Sequence, residues 1–123
     1  MRGGGMDRQE HIEGLRLDQL TPADIDYFFR TLARRVPRRV NNQQQDLLKR
    51  LRGRVRYLGV ALGNSTAKQL RPDDLDGACE VMVAQVGQMR RRQWRGKIDG
   101  QRKLDFVREQ VGEISADLRE LAG

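Results

Sequence analysis

Leu104, Val107, Val111, Ile114, Leu118 and Leu121 recur at alternating steps of three and four residues, with mostly polar and charged side chains between them. An α-helix returns a side chain to one face at that period, so this stretch folds as a helix with one narrow apolar seam. Such a seam has to be buried against others like it. Three more stripes precede it: Ile25, Phe28, Phe29, Leu32 and Val36; then Leu47, Leu48, Leu51, Val55, Leu58 and Leu62; then Leu75, Ala78, Cys79, Met82, Val83, Val86 and Met89. Four amphipathic helices in 123 residues predict an all-α fold, an antiparallel four-helix bundle domain over residues 21–123. Residues 1–20 are expected to be a poorly ordered or short-helical segment, in which Ile12, Leu15, Leu17 and Leu20 either extend the first helix or form one of their own.

Helix boundaries follow from residue chemistry. Thr21-Pro22-Ala23-Asp24 combines an N-cap, a proline at the first helical position and an acid at the third. Asn41-Asn42 opens the second helix with Gln45 as the capping-box partner, and Gly63-Asn64 ends it. Asp73 and Asp74 after Pro72 start the third, and Asp99 is expected to cap the fourth. Gly53 and Gly59 each cost up to about 1 kcal/mol of helix propensity relative to Ala, so both are expected at close helix contacts. Phe28 and Phe29 are expected in the core, as is the thiol of Cys79, the single cysteine. With no disulfide to form, no leader-like apolar segment and no apolar run of ~20 residues, the expected location is the cytoplasm, away from any membrane.

Catalysis needs convergent titratable groups, and few are present. His11 is the one histidine, no Glu-x-x-His pair occurs for a bundle-core metal, and Gly3-Gly4-Gly5 follows no strand. Helix-start electrostatics accounts for Asp73, Asp74 and Asp76. The chain is therefore expected to be no enzyme and to use neither cofactor nor metal.

Charge is the more informative property. The net charge is +7, and 20 of the 24 basic residues are arginine. Residues 30–56 hold ten basic side chains and one acid, residues 90–103 hold seven and one, and the remainder is net negative. Such segregation opposes folding through self-repulsion, and a polyanion would relieve it. Arginine adds bidentate phosphate contact and stacking on bases. The expected contacts are Arg30, Arg34, Arg35, Arg38 and Arg39 around the first join, and Arg50 and Arg54 among the basic residues of the second helix. Arg90, Arg91, Arg92, Arg95 and Lys97 complete the set around Trp94, which either stacks on an unpaired base or folds back over the bundle end. If neighbouring helices alternate in direction, the first and third joins share one end, and the two clusters form a single basic surface.

From Val36 onward, beginning with the Pro37-Arg38 turn, the order of features resembles the accessory variability determinant proteins of diversity-generating retroelements. The resembling positions are Leu48-Lys49 with Leu51, Gly53 and Val55, then Val60-Ala61, the region of Asp74 and Ala78, and Val111-Gly112 with Ile114. The resemblance implies a basic four-helix bundle assembled as a pentameric ring. It also implies partnership with a reverse transcriptase and its template RNA, and a non-catalytic part in mutagenic complementary-DNA synthesis. Leu17-Asp18-Gln19-Leu20-Thr21-Pro22-Ala23-Asp24-Ile25 is similar to the start of the core-binding domain of tyrosine recombinases, which implies a DNA-binding helical module of mobile-element origin. A third reading is a structural adaptor whose basic end binds an acidic protein. The leading expectation is a basic accessory protein that binds RNA or DNA. The narrow seams further predict a homo-oligomer.

Overall fold

A computed structural model describes residues 8–91 and 98–122. Among them are six helices: α1 (Arg8–Glu13), α2 (Pro22–Arg35), α3 (Asn42–Ala61), α4 (Ser65–Gln69), α5 (Leu75–Met89) and α6 (Ile98–Ala122), with a 3-10 turn at Leu17–Gln19. No strand occurs among the described residues, so the all-α class expected from periodicity is observed. No helix among them is long and apolar enough to cross a membrane.

All four stripes enter one core. Ile25, Leu32, Leu51, Leu58, Met82, Val86, Val107 and Ile114 are fully buried in it. Phe28 and Phe29 meet edge to face with ring centres 5.2 Å apart, which confirms them as packing residues.

Capping fixes where the helices begin. Thr21 Oγ1 accepts the Asp24 N–H at 3.2 Å, and Asp24 accepts the Thr21 N–H at 2.9 Å. Asn41 makes the same reciprocal pair with Gln44, not with Gln45, because the box partner is the third helical residue counted from the cap. Asp74 accepts from Gly77 at 2.8 Å to open α5. α3 ends where Gly63 takes φ +84°, a conformation that favours glycine. Asp99 does not precede the last helix: α6 opens at Ile98, which puts it inside the first turn.

The short α4 is not foreshadowed by any stripe, and it changes the topology. Asn64 not only follows the end of α3 but caps α4, accepting from Thr66 and Ala67. α4 folds back along α3, where Arg56 donates to the carbonyls of Lys68 and Leu70. Gly77 then packs on Leu70, and Val81 returns to Gly59, so α5 runs in the direction of α3. Contacts across the other pairs reverse. Gln44 reaches Leu121, Arg50 reaches Asp117 and Arg54 reaches Glu113, so α3 and α6 are antiparallel. Cys79, near the start of α5, meets Ala33, near the end of α2, and these two helices pack along their length in opposite directions.

The N-terminal segment belongs to the same core. From Arg8 onward it adopts the short-helical form, and Ile12 and Leu20 are buried. Arg108 Nε donates to the Leu20 carbonyl at 2.8 Å, and Leu17 covers Gly112 so closely that a Cβ there would lie 2.9 Å from it.

The two helix-interior glycines of α3 part company. A Cβ on Gly59 would stand 3.0 Å from both Ala67 and Val81, which is the close contact expected. Gly53 meets nothing within 4 Å and is exposed, so packing does not explain it.

Candidate nucleic-acid interface

The expectation of a single basic end fails on topology. Gln44, at the head of α3, lies beside Leu121 at the tail of α6. The join carrying Arg38 and Arg39 therefore sits at the C-terminal end of α6, a helix of 25 residues and about 37 Å. Arg90 and Arg91 follow α5, whose start rather than its end lies against the close of α2. The first join and these two arginines occupy opposite ends of the molecule. The fold-back of α4 is the cause, since it resets the direction of α5.

Within the candidate set, the structure separates arginines that are engaged internally from those that are not. Arg30 Nε donates to Asp26 at 2.7 Å, and Arg35 pairs with Glu13 of α1. Arg54 donates to Asp117 at 2.9 Å and to Glu113 at 2.6 Å, while Arg50 reaches the same Asp117 at 3.1 Å. Asp117 is one of the few buried charged residues, its side chain only 6% exposed, and the two guanidiniums compensate its desolvation. Arg50 and Arg54 thus fasten α3 to α6, a role that residue type alone did not disclose.

Arg34, Arg38, Arg39, Arg90 and Arg91 are exposed, with no acidic partner among the described residues. Arg34 stands in the last turn of α2, and Arg38 and Arg39 lie in the short join after Pro37, outside any helix. Arg92, Trp94, Arg95 and Lys97 lie outside the described residues.

A further flank of α3 escapes a reading by residue type. Lys49, Arg52 and Arg56 follow at steps of three and four, away from the α6-facing side, and none pairs with an acid among the described residues. Lys49 is exposed; Arg56 spends donors on the carbonyls of Lys68 in α4 and of Leu70 just after it, and a buried Nε of Arg52 has no hydrogen-bond partner among the described residues. Helical phase relative to Arg50 and Arg54 is the signal that would find them. On the outer face of the same helix, Tyr57 is 58% exposed.

Nucleophile chemistry is not favoured at the one cysteine. Burial, with a smaller contribution from the Asp76 charge, pushes the Cys79 thiol up from 9.0 to about 12, against a backbone hydrogen bond from Ala33 that pulls it down. Among the described residues no three His, Cys, Asp or Glu side chains gather where they could hold a metal ion. The chain matches no protein-family model, no curated protein and no solved structure.

Proposed function

We propose that this chain is a non-enzymatic accessory protein that binds the backbone of RNA or DNA. The observation that carries the reading is the exposure of Arg34, Arg38 and Arg39 at one end, without acidic partners among the described residues, while neighbouring arginines are matched to carboxylates. A chain that neutralises some of its arginines internally, and leaves others bare and clustered, retains a surface suited to phosphates. The four long helices are read as a four-helix bundle made of two antiparallel pairs, α2 with α5 and α3 with α6. By its resemblance to the retroelement accessory proteins, the partner enzyme is a reverse transcriptase and the nucleic acid its template RNA. The reading includes a homo-oligomer, supported by the thin seams and by Leu17, which stays 45% exposed beside the apolar groove between the N-terminal segment and α6.

Salt titration tests the proposal. Binding to RNA and to duplex DNA, compared with binding to an acidic protein, should favour nucleic acid and weaken steeply as salt rises. Tight binding to the acidic protein with no affinity for either nucleic acid would overturn it. Light scattering that shows a 14.2 kDa monomer at micromolar concentration would remove the oligomer.

A further inference from the structure

Gly53 and Tyr57 stand one turn apart on the outer face of α3, the most arginine-rich helix. Neither has a structural reason for its identity. Gly53 is in a helix interior, where glycine costs stability, and nothing lies within 4 Å of the position its Cβ would take. Tyr57 is the more exposed of the two large apolar side chains that stand clear of the core among the described residues. The other, Leu17, has a task in covering Gly112.

Helical side chains lean toward the N-terminus, the side of Tyr57 on which Gly53 stands, and no side chain, the ring included, comes within 4 Å of the place a Gly53 Cβ would take. Because Gly53 has no side chain, the space beside the ring is open. Basic side chains flank this space by helical phase: exposed Lys49, with Arg56, on one side and without a carboxylate partner among the described residues, and on the other Arg50 and Arg54, which are held by the acids of α6. An exposed aromatic ring beside an open slot, bordered by cations, is the arrangement on which an unpaired base stacks while its phosphates are held.

We propose that Tyr57 is a stacking platform for an unpaired nucleobase and that Gly53 keeps the space before it open. The proposal rests on the nucleic-acid reading and narrows it to single strands. A base in a duplex is stacked on its neighbours and has no face to offer the ring.

The experiment measures affinity for an oligothymidylate of about eight nucleotides, and for a duplex of equal length, with melting temperatures recorded in parallel. The single strand should bind more tightly than the duplex. Tyr57→Ala should weaken single-strand binding at least about fivefold, with the salt slope unchanged, and Tyr57→Phe should restore it. Gly53→Gln should also weaken it, although glutamine is the better helix former and the melting temperature should not fall. If Tyr57→Ala and Gly53→Gln bind as the parent does while Arg38→Gln with Arg39→Gln still weakens binding, stacking is overturned and the polyanion reading stands. If the parent binds neither strand nor duplex, both fall together.

Discussion

Arg54 of α3 and Asp117 of α6 are joined across the helix interface, guanidinium Nε to carboxylate at 2.9 Å, with the carboxylate almost wholly withdrawn from water. Arg50 shares the same acid, so removing Asp117 would leave Arg50 without a carboxylate and Arg54 with Glu113 alone. Asp117→Ala should cost about 2 kcal/mol in chemical denaturation, below the range for a fully buried pair because both arginines are partly exposed. Arg50→Gln should lower stability slightly and leave nucleic-acid affinity unchanged. A large drop in affinity there would show that Arg50 exchanges Asp117 for phosphate.

The first join should behave in the opposite way. Arg38→Gln with Arg39→Gln should weaken binding and reduce the slope of log K against log salt by about 0.7 to 0.9 for each phosphate that is no longer neutralised. The melting temperature should barely move, since exposed charges contribute little to folding. An unchanged slope would mean that these arginines do not touch the backbone.

Much of the fold is legible in the sequence because its signals are local. Thr21 and Asp24 cap each other within four residues, and the stripe from Leu104 to Leu121 needs no partner to be recognised. What escapes is non-local or brief. α4 has five residues and a single buried side chain, Ala67, so it carries no periodicity to read. Its effect on the direction of α5 places Arg38 and Arg90 at opposite ends, where simple alternation of direction would put them together. The ion pairs of Arg50 and Arg54 depend on which flank of α3 faces the acids of α6, and that is decided by packing.

The glycines of α3 give a paired test. Gly59→Val should destabilise by about 1–3 kcal/mol, because its added atoms would press on Ala67 and Val81. Gly53→Ala should instead stabilise by up to about 1 kcal/mol, since its Cβ enters open space. Thermal or urea unfolding of the two variants checks both signs.

Cys79 links stability to alkaline pH. Its folded pKa of about 12 exceeds the ordinary 9.0, so the folded state holds the thiol proton more tightly than the unfolded chain does. The associated stabilisation is fully present below pH 9.0 and is lost as pH rises from there toward about 12. The stability difference between the parent and Cys79→Ala should therefore be constant below that window and shrink within it. Native protein should also resist alkylation at about pH 8, whereas unfolded protein should react.

The pairing of Leu20 with Arg108 and of Gln44 with Leu121 has a consequence for how the chain is made. These partners are separated by 88 and 77 positions, and each needs the final helix. During synthesis α2 can find α5 early, but the turn ahead of α2 and the acid-facing flank of α3 must wait for α6 to emerge. Long-range closure of this kind slows folding, and the waiting apolar surfaces are open to aggregation in the interval. A nascent chain halted after Arg91 would hold the seam of α3 half uncovered, its guanidiniums still without Asp117, until the last helix arrived to close the core.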